Sequence, residues 1–147
     1  MISLKKPILA FLEYLTRQIQ RNMVDSDVNA TGQTSKSITP ANVSEWSGQL
    51  QADANLETIE TGTPPANEGG GISVAEADFW VNVKGLDLNP ERVAIKINDI
   101  GSRTFVSGGR TDIYTDELND KKVIDVFLLE TQNTLVDQVF NEYLKNL

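Results

Sequence analysis

The sequence predicts an α+β fold in which helices outnumber strands. Three observations point there. Apolar residues step by three or four at both ends of the chain, the middle carries two well-marked helix starts, and short alternating stretches between Val43 and Thr61 read as strands. The 147 residues suit one domain, 1–147, with a modest core.

A first helix is predicted from about Leu4 to Met23. Ile8, Leu12, Leu15, Ile19 and Met23 build one stripe, and Lys5, Glu13, Arg17, Gln20 and Arg21 fill the other side. Pro7 is tolerated only in the first turn, where its missing N–H costs no helical bond. Asp25 to Gly32 is a polar loop, and Pro40 forbids a long helix after it. Val43 with Trp46, and Leu50 with Ala52, suggest two short strands turning near Gly48. Leu56 to Thr61 (LETIET) alternates as a third.

Thr61 to Gly71 (TGTPPANEGGG) is the clearest loop, with two prolines and four glycines. Ser73 caps the next helix, with Glu76 at the capping-box spacing. Ala75, Phe79 and Val83 form its expected core stripe, Trp80 lies beside it, and Gly85 stops it. Asn89-Pro90 opens a further helix with an amide cap and proline at its first position. There Val93, Ile97 and Ile100 share a face, Ile95 points roughly opposite, and Gly101 ends it. The turn-rich segment SRTFVSGGRTDIY leaves room for a short strand at Thr104 to Val106.

A last helix is predicted from about Asp116 to Leu147; if continuous, it spans roughly 45 Å. Ile124, Phe127, Leu128, Leu135 and Val139 give its expected core stripe. Val126, Leu129, Val136 and Phe140 spread apolar surface to other sides. A helix that is apolar on more than one side has more than one neighbour. A small chain has few neighbours to offer, so a second subunit is expected.

Composition excludes several classes. With no cysteine there is no disulfide framework and no thiolate metal site, and with no histidine the commonest base and zinc ligand is missing. Hydrophobic residues are 39% of the chain, which leaves room for long polar loops. No apolar run reaches the ~20 residues of a membrane helix. The start, MISLKKPILAFLEYL, imitates a signal peptide, but Glu13 interrupts the run and no small-residue cleavage site follows. It reads instead as an amphipathic helix of a cytosolic product. The net charge of −8 disfavours wrapping nucleic acid but not letting it pass.

Four constellations invite chemistry. Asp25, Asp27 and Asn29 alternate like calcium ligands, but the sixth loop position is Ala30, where glycine is needed. The twelfth is Lys36, where a bidentate glutamate is needed. They read as turn formers, with Thr31-Gly32 as the pivot that ends the first helix. Gly69-Gly70-Gly71 before a helix suggests a phosphate cradle, yet no Lys-Ser/Thr follows, and a flexible hinge is the better reading. Ser107-Gly108-Gly109-Arg110 offers an anion contact against the simpler reading of a turn. Asp112, Asp116 and Asp120 are four apart, which suits a helix N-terminus better than a ligand set. Paired carboxylates are unavoidable among 21 acids and discriminate nothing, so no enzyme activity, metal or cofactor is expected.

The order of motifs carries more than any one of them. After the first helix come ATGQTSKSI (30–38), IETGTPP (59–65), FWVNVKGL (79–86), VAIKINDIGSRTF (93–105) and GGRTDIYTDEL (108–118). This series resembles the tail-completion and neck proteins of tailed bacteriophages, the head-to-tail joining family. The resemblance spans most of the chain. It departs at Ala41 to Asn55, which is polar for the strands expected there, and in the loose form of the Pro-rich loop.

The resemblance implies a small antiparallel sheet flanked by an N-terminal helix, two short central helices and a long C-terminal helix. It implies a structural virion protein without catalysis. It also implies a homo-oligomeric ring, six- or twelve-fold, between the portal or adaptor and the tail, through which DNA passes. The net charge of −8 adds the expectation of an acidic lumen that repels DNA phosphates and does not bind them. Partner contacts are then expected at Thr61, Gly62, Thr63, Pro64 and Pro65, at Arg110, Asp112 and Tyr114, and at Val126, Leu129, Val136 and Phe140. Two rivals stay open: a phage assembly factor or binding module absent from the virion, and a carboxylate-dependent hydrolase of cell wall.

Overall fold

A computed structural model describes residues 3–28 and 31–147. Its first helix, α1 (Lys5–Asp25), buries the anticipated stripe of Ile8, Leu12, Leu15, Ile19 and Met23. Pro7 lies in the first turn. The chain then turns at Gly32, whose left-handed φ of 75° opens the short helix α2 (Gln33–Ser37). Asn29, expected as a turn former, and Ala30 lie outside the described residues.

The sheet is smaller than expected. Strands β1 (Thr39–Ala41) and β2 (Gln49–Gln51) pair antiparallel, with Pro40 opposite Leu50. The Val43–Trp46 stretch is no strand but part of their connection. The Ser44 hydroxyl accepts from the Ser47 amide at 3.1 Å, and Trp46 is exposed. The connection is tied to the start of α1 by the Leu4 amide, which donates to the Glu45 carbonyl at 3.0 Å.

The expected third strand is helix α3 (Asn55–Thr61). In LETIET, Leu56 and Ile59 are three apart, a spacing that fits a helical face as well as strand alternation does. The cluster of Ile19, Met23, Ile38 and Ile113 receives both side chains, together with Val28, Leu50 and Tyr114. The Asp53 carboxylate accepts the Asn55 amide at 3.0 Å and helps start the turn. In the same way the expected strand at Thr104 is helix α6 (Arg103–Val106), because the Ser102 hydroxyl caps it through the Phe105 amide.

Two helices lie between them. Helix α4 (Val74–Lys84) carries the complete Ser73–Glu76 capping box and ends at left-handed Gly85. Helix α5 (Pro90–Ile100) starts on Asn89, whose side chain accepts from the Glu91 and Arg92 amides, and ends at Gly101. The expected α4 stripe of Ala75, Phe79 and Val83 is not the buried one. The two helices pack on one another, and their buried positions are Ala77, Val81 and Ala94. Small side chains let the helices approach closely, so the large aromatic side chains turn outward.

The last helix is broken. Helix α7 (Thr115–Asn119) stops at Asp120, whose extended backbone restarts the chain as α8 (Lys121–Lys145) and whose carboxylate accepts the Lys122 amide at 2.9 Å. Helix α8 runs antiparallel along α1. Phe127 meets Phe11 edge to face at 5.2 Å, and Gln138 exchanges two hydrogen bonds with the Ser3 backbone. These anchors choose the inward side of α8, on which Val123 and Thr134 are buried and Phe127 and Leu135 half-buried. Ile124, Leu128 and Val139, expected in the core stripe, face outward.

Candidate functional site

Three regions carry groups without a purely internal use. The first is a cleft of about 1230 Å³ between α3, α4, α5 and α6. Its apolar lining includes Phe79, Trp80, Val93, Ile97, Ile100 and Val106, with Phe79 60% and Trp80 42% exposed. Around it stand four cations, Lys84, Lys96, Arg103 and Arg110, and one acid, Glu76. Lys84 pairs with Asp27 at 3.5 Å and Arg110 with Asp112 at 2.6 Å. Among the described residues Lys96 and Arg103 have no ion pair.

The cleft is held open by its frame. The Asn98 amide clamps the backbone of Ile72: its oxygen accepts the Ile72 N–H at 2.7 Å and its NH2 donates to the Ile72 carbonyl at 3.0 Å. The Thr63 amide donates to the Ser102 hydroxyl at 2.9 Å, and the Ser102 amide donates to the Thr63 carbonyl at 2.8 Å. Within the loop the Gly71 amide donates to the Pro64 carbonyl at 2.8 Å. The glycine run at 69–71, expected as a flexible hinge, is therefore tied at both ends.

The second region is the turn at 107–115. Gly108 and Gly109 both take positive φ, near 90°. Arg110 closes the turn with a two-pronged pair: Nε donates to one Asp112 oxygen at 2.6 Å and Nη2 to the other at 2.7 Å. That bond raises the Arg110 guanidinium above its ordinary range and holds the Asp112 carboxyl below its own. The simpler reading of this stretch as a turn holds, and the guanidinium that offered a contact for an external anion already has an internal one. Asp112 does not share a helix with Asp116 and Asp120; the latter two sit at the starts of α7 and α8. Burial, and then the charges of Glu60 and Glu57, push the Tyr114 hydroxyl up.

The third region is the outer side of α8. Ile124, Leu128, Leu129, Val136, Val139, Phe140, Tyr143 and Leu144 are all exposed there, and every residue from Val139 onward is exposed. That is far more apolar surface than scattered single side chains account for.

The residues expected to meet partners divide. Leu129, Val136 and Phe140 lie together on the outer α8 surface, and Val126 is half-buried at its edge. Thr61 is exposed, Thr63 and Pro64 are half-buried, and Gly62 and Pro65 are buried within the subunit. Tyr114 is half-buried against the core cluster, and Asp112 is exposed but engaged by Arg110. The cleft residues Phe79, Trp80, Lys96 and Arg103 went unrecognised as a surface. The available signal was α4 itself, whose Val74, Phe79, Trp80, Val81 and Val83 exceed what one stripe holds.

Among the described residues no group of three or more His, Cys, Asp or Glu side chains is arranged to hold a metal, and no helix is long and apolar enough to cross a membrane. No protein-family model matches the chain, and no curated protein or solved structure matches it significantly.

Proposed function

We propose that the protein is a structural subunit of a phage neck: a homo-oligomeric ring that joins the portal side of the head to the tail and lets DNA pass. The observation that carries this reading is the outer side of α8, eight large apolar side chains exposed on one helix. Apolar surface of that extent stabilises an assembly once it is covered, at about 25 cal/mol per Å² removed from water. The ordered series of motifs resembling the head-to-tail joining family supports the same reading, and an enzyme is not part of it. A net charge of −8 suits a lumen that repels DNA phosphates, provided the acids line the inside of the ring.

Electron microscopy of the purified protein, with sedimentation velocity on the same sample, tests this reading. Closed rings of uniform diameter are the expected result; a monomer at every concentration, absent also from purified virions, overturns it. An assembly factor acting outside the particle also covers its apolar surface with a partner. Protein analysis of virions separates the two, because a neck subunit is present there at ring stoichiometry.

A further inference from the structure

We infer that the cleft between α4, α5 and α6 receives the outer side of α8 from a second copy of the chain, in a head-to-tail contact. The inference rests on the proposed self-association and names the two surfaces that meet. Both are apolar and exposed on the same subunit, and no residue of α8 lines the cleft, so each copy offers both at once.

Charge selects the pairing. The chain is acidic, yet the cleft is ringed by four cations; Lys84 and Arg110 are paired with Asp27 and Asp112, which leaves Lys96 and Arg103 facing Glu76. Between Ile124 and Leu144 the charged residues of α8 are Asp125, Glu130, Asp137 and Glu142; its lysines, Lys121, Lys122 and Lys145, stand at the two ends of the helix, Lys145 beside Glu142. At 100° per residue Asp125 falls in the middle of the exposed apolar face, in line with Val136 and Tyr143. The acidic, apolar middle of α8 thus faces an apolar cleft whose unpaired cations, among the described residues, are Lys96 and Arg103, a complementarity that sets register and speeds encounter. Two α8 faces packed on each other would instead bring like charges together.

Size agrees. At about 1230 Å³ the cleft exceeds the ~300–1000 Å³ of pockets for small ligands and suits the side chains of a helix laid across it. A contact between two different surfaces does not use itself up. It closes into a ring when the rotation between copies allows and grows as a filament when it does not.

The chain has no cysteine, so introduced pairs report contacts cleanly. V106C places a thiol in the cleft and V136C one on α8; circular dichroism first checks that each variant keeps wild-type helicity. Mixed under mild oxidation, the two are expected to form a disulfide-linked dimer of one V106C and one V136C chain, and the double variant a ladder or closed ring. In parallel, sedimentation velocity measures self-association of K96E/R103E, of D125K/E142K, and of their mixture. Each alone is expected to associate at least tenfold more weakly than wild type, and the mixture to recover. Symmetric V136C dimers as the main product, or association unchanged by both charge reversals, overturn the inference while leaving a ring built through other surfaces. A wild-type chain monomeric at every concentration overturns the contact itself; rings in the virion neck then judge the proposed function separately.

Discussion

The carboxylate of Glu60 is buried, 2% exposed, and binds Thr115 twice: it accepts the Thr115 amide and the Thr115 hydroxyl, each at 2.9 Å. The Tyr114 amide adds a longer bond at 3.4 Å. Glu60 thereby satisfies free N–H groups at the start of α7, although it comes from α3. Its own backbone carbonyl accepts the Arg110 amide at 2.8 Å, so one residue holds both ends of the 110–115 turn.

Glu60→Ala leaves the half-buried Thr115 amide without its acceptor; a fully buried unsatisfied donor costs about 1–3 kcal/mol, and partial access to water puts this one toward the lower end. Urea denaturation is expected to show a loss of that order. Glu60→Gln, which keeps one carbonyl oxygen at the site, is expected to recover part of it. A Glu60→Ala variant as stable as wild type contradicts the anchoring role.

Gly62 and Gly69 share a φ of 82°, but their surroundings differ. A Cβ on Gly62 would lie 2.3 Å from the Phe105 backbone nitrogen, while one on Gly69 meets nothing within 4 Å. Gly69→Ala should cost only the left-handed conformation, about 1–2 kcal/mol. Gly62→Ala adds a clash with backbone and is expected to be clearly the worse of the two. Thermal melts of both variants check the order, and equal losses contradict it.

Asn98→Ala removes both bonds to Ile72. At about 1 kcal/mol for each hydrogen bond, the loss is expected near 2 kcal/mol, and the loop at 69–72 loses its hold on α5. Hydrogen exchange reads this locally: the Ile72 amide should exchange faster while amides in the middle of α1 keep their protection ranking. Unchanged exchange at Ile72 argues against the clamp.

The Arg110–Asp112 pair sets a pH dependence. The folded-state carboxyl of Asp112 is held below its unfolded value, near ~3.9 for a free aspartate. The pair's contribution is therefore complete above that value and fades as pH falls through the lower folded one. Comparing Asp112→Asn with wild type, a stability difference should be present at pH 7 and vanish in strong acid. The pair is largely exposed, so the difference is small and shrinks in high salt. A difference that grows on acidification contradicts the assignment.

How far the sequence reaches differs from element to element. The apolar stripe of α1 is unbroken and has one reading, and all five of its residues are buried. The starts of α4 and α5 are written in capping chemistry that acts within four residues, and both appear as expected. The periods of LETIET and of the stretch at Thr104 are short enough to suit either a strand or a helix. The sequence does not choose between them. The core cluster over Leu56 and Ile59, and the Ser102 cap over Phe105, do.

The candidate surfaces show the same division. From α8 alone it follows that the helix is apolar on more sides than one small subunit can cover. Which side stays uncovered is decided by Phe11 against Phe127 and by Ser3 against Gln138, contacts that join residues more than a hundred positions apart. Likewise Phe79 and Val83 have core spacing, but Ala77, Val81 and Ala94 are the residues buried on α4 and α5, which pack on each other. The sequence by itself determined the local signals: caps, glycine turns, the α1 stripe and the acidic balance. Only the tertiary structure decided which apolar faces meet inside the subunit. Burial is non-directional, and a face is chosen by what lies opposite it.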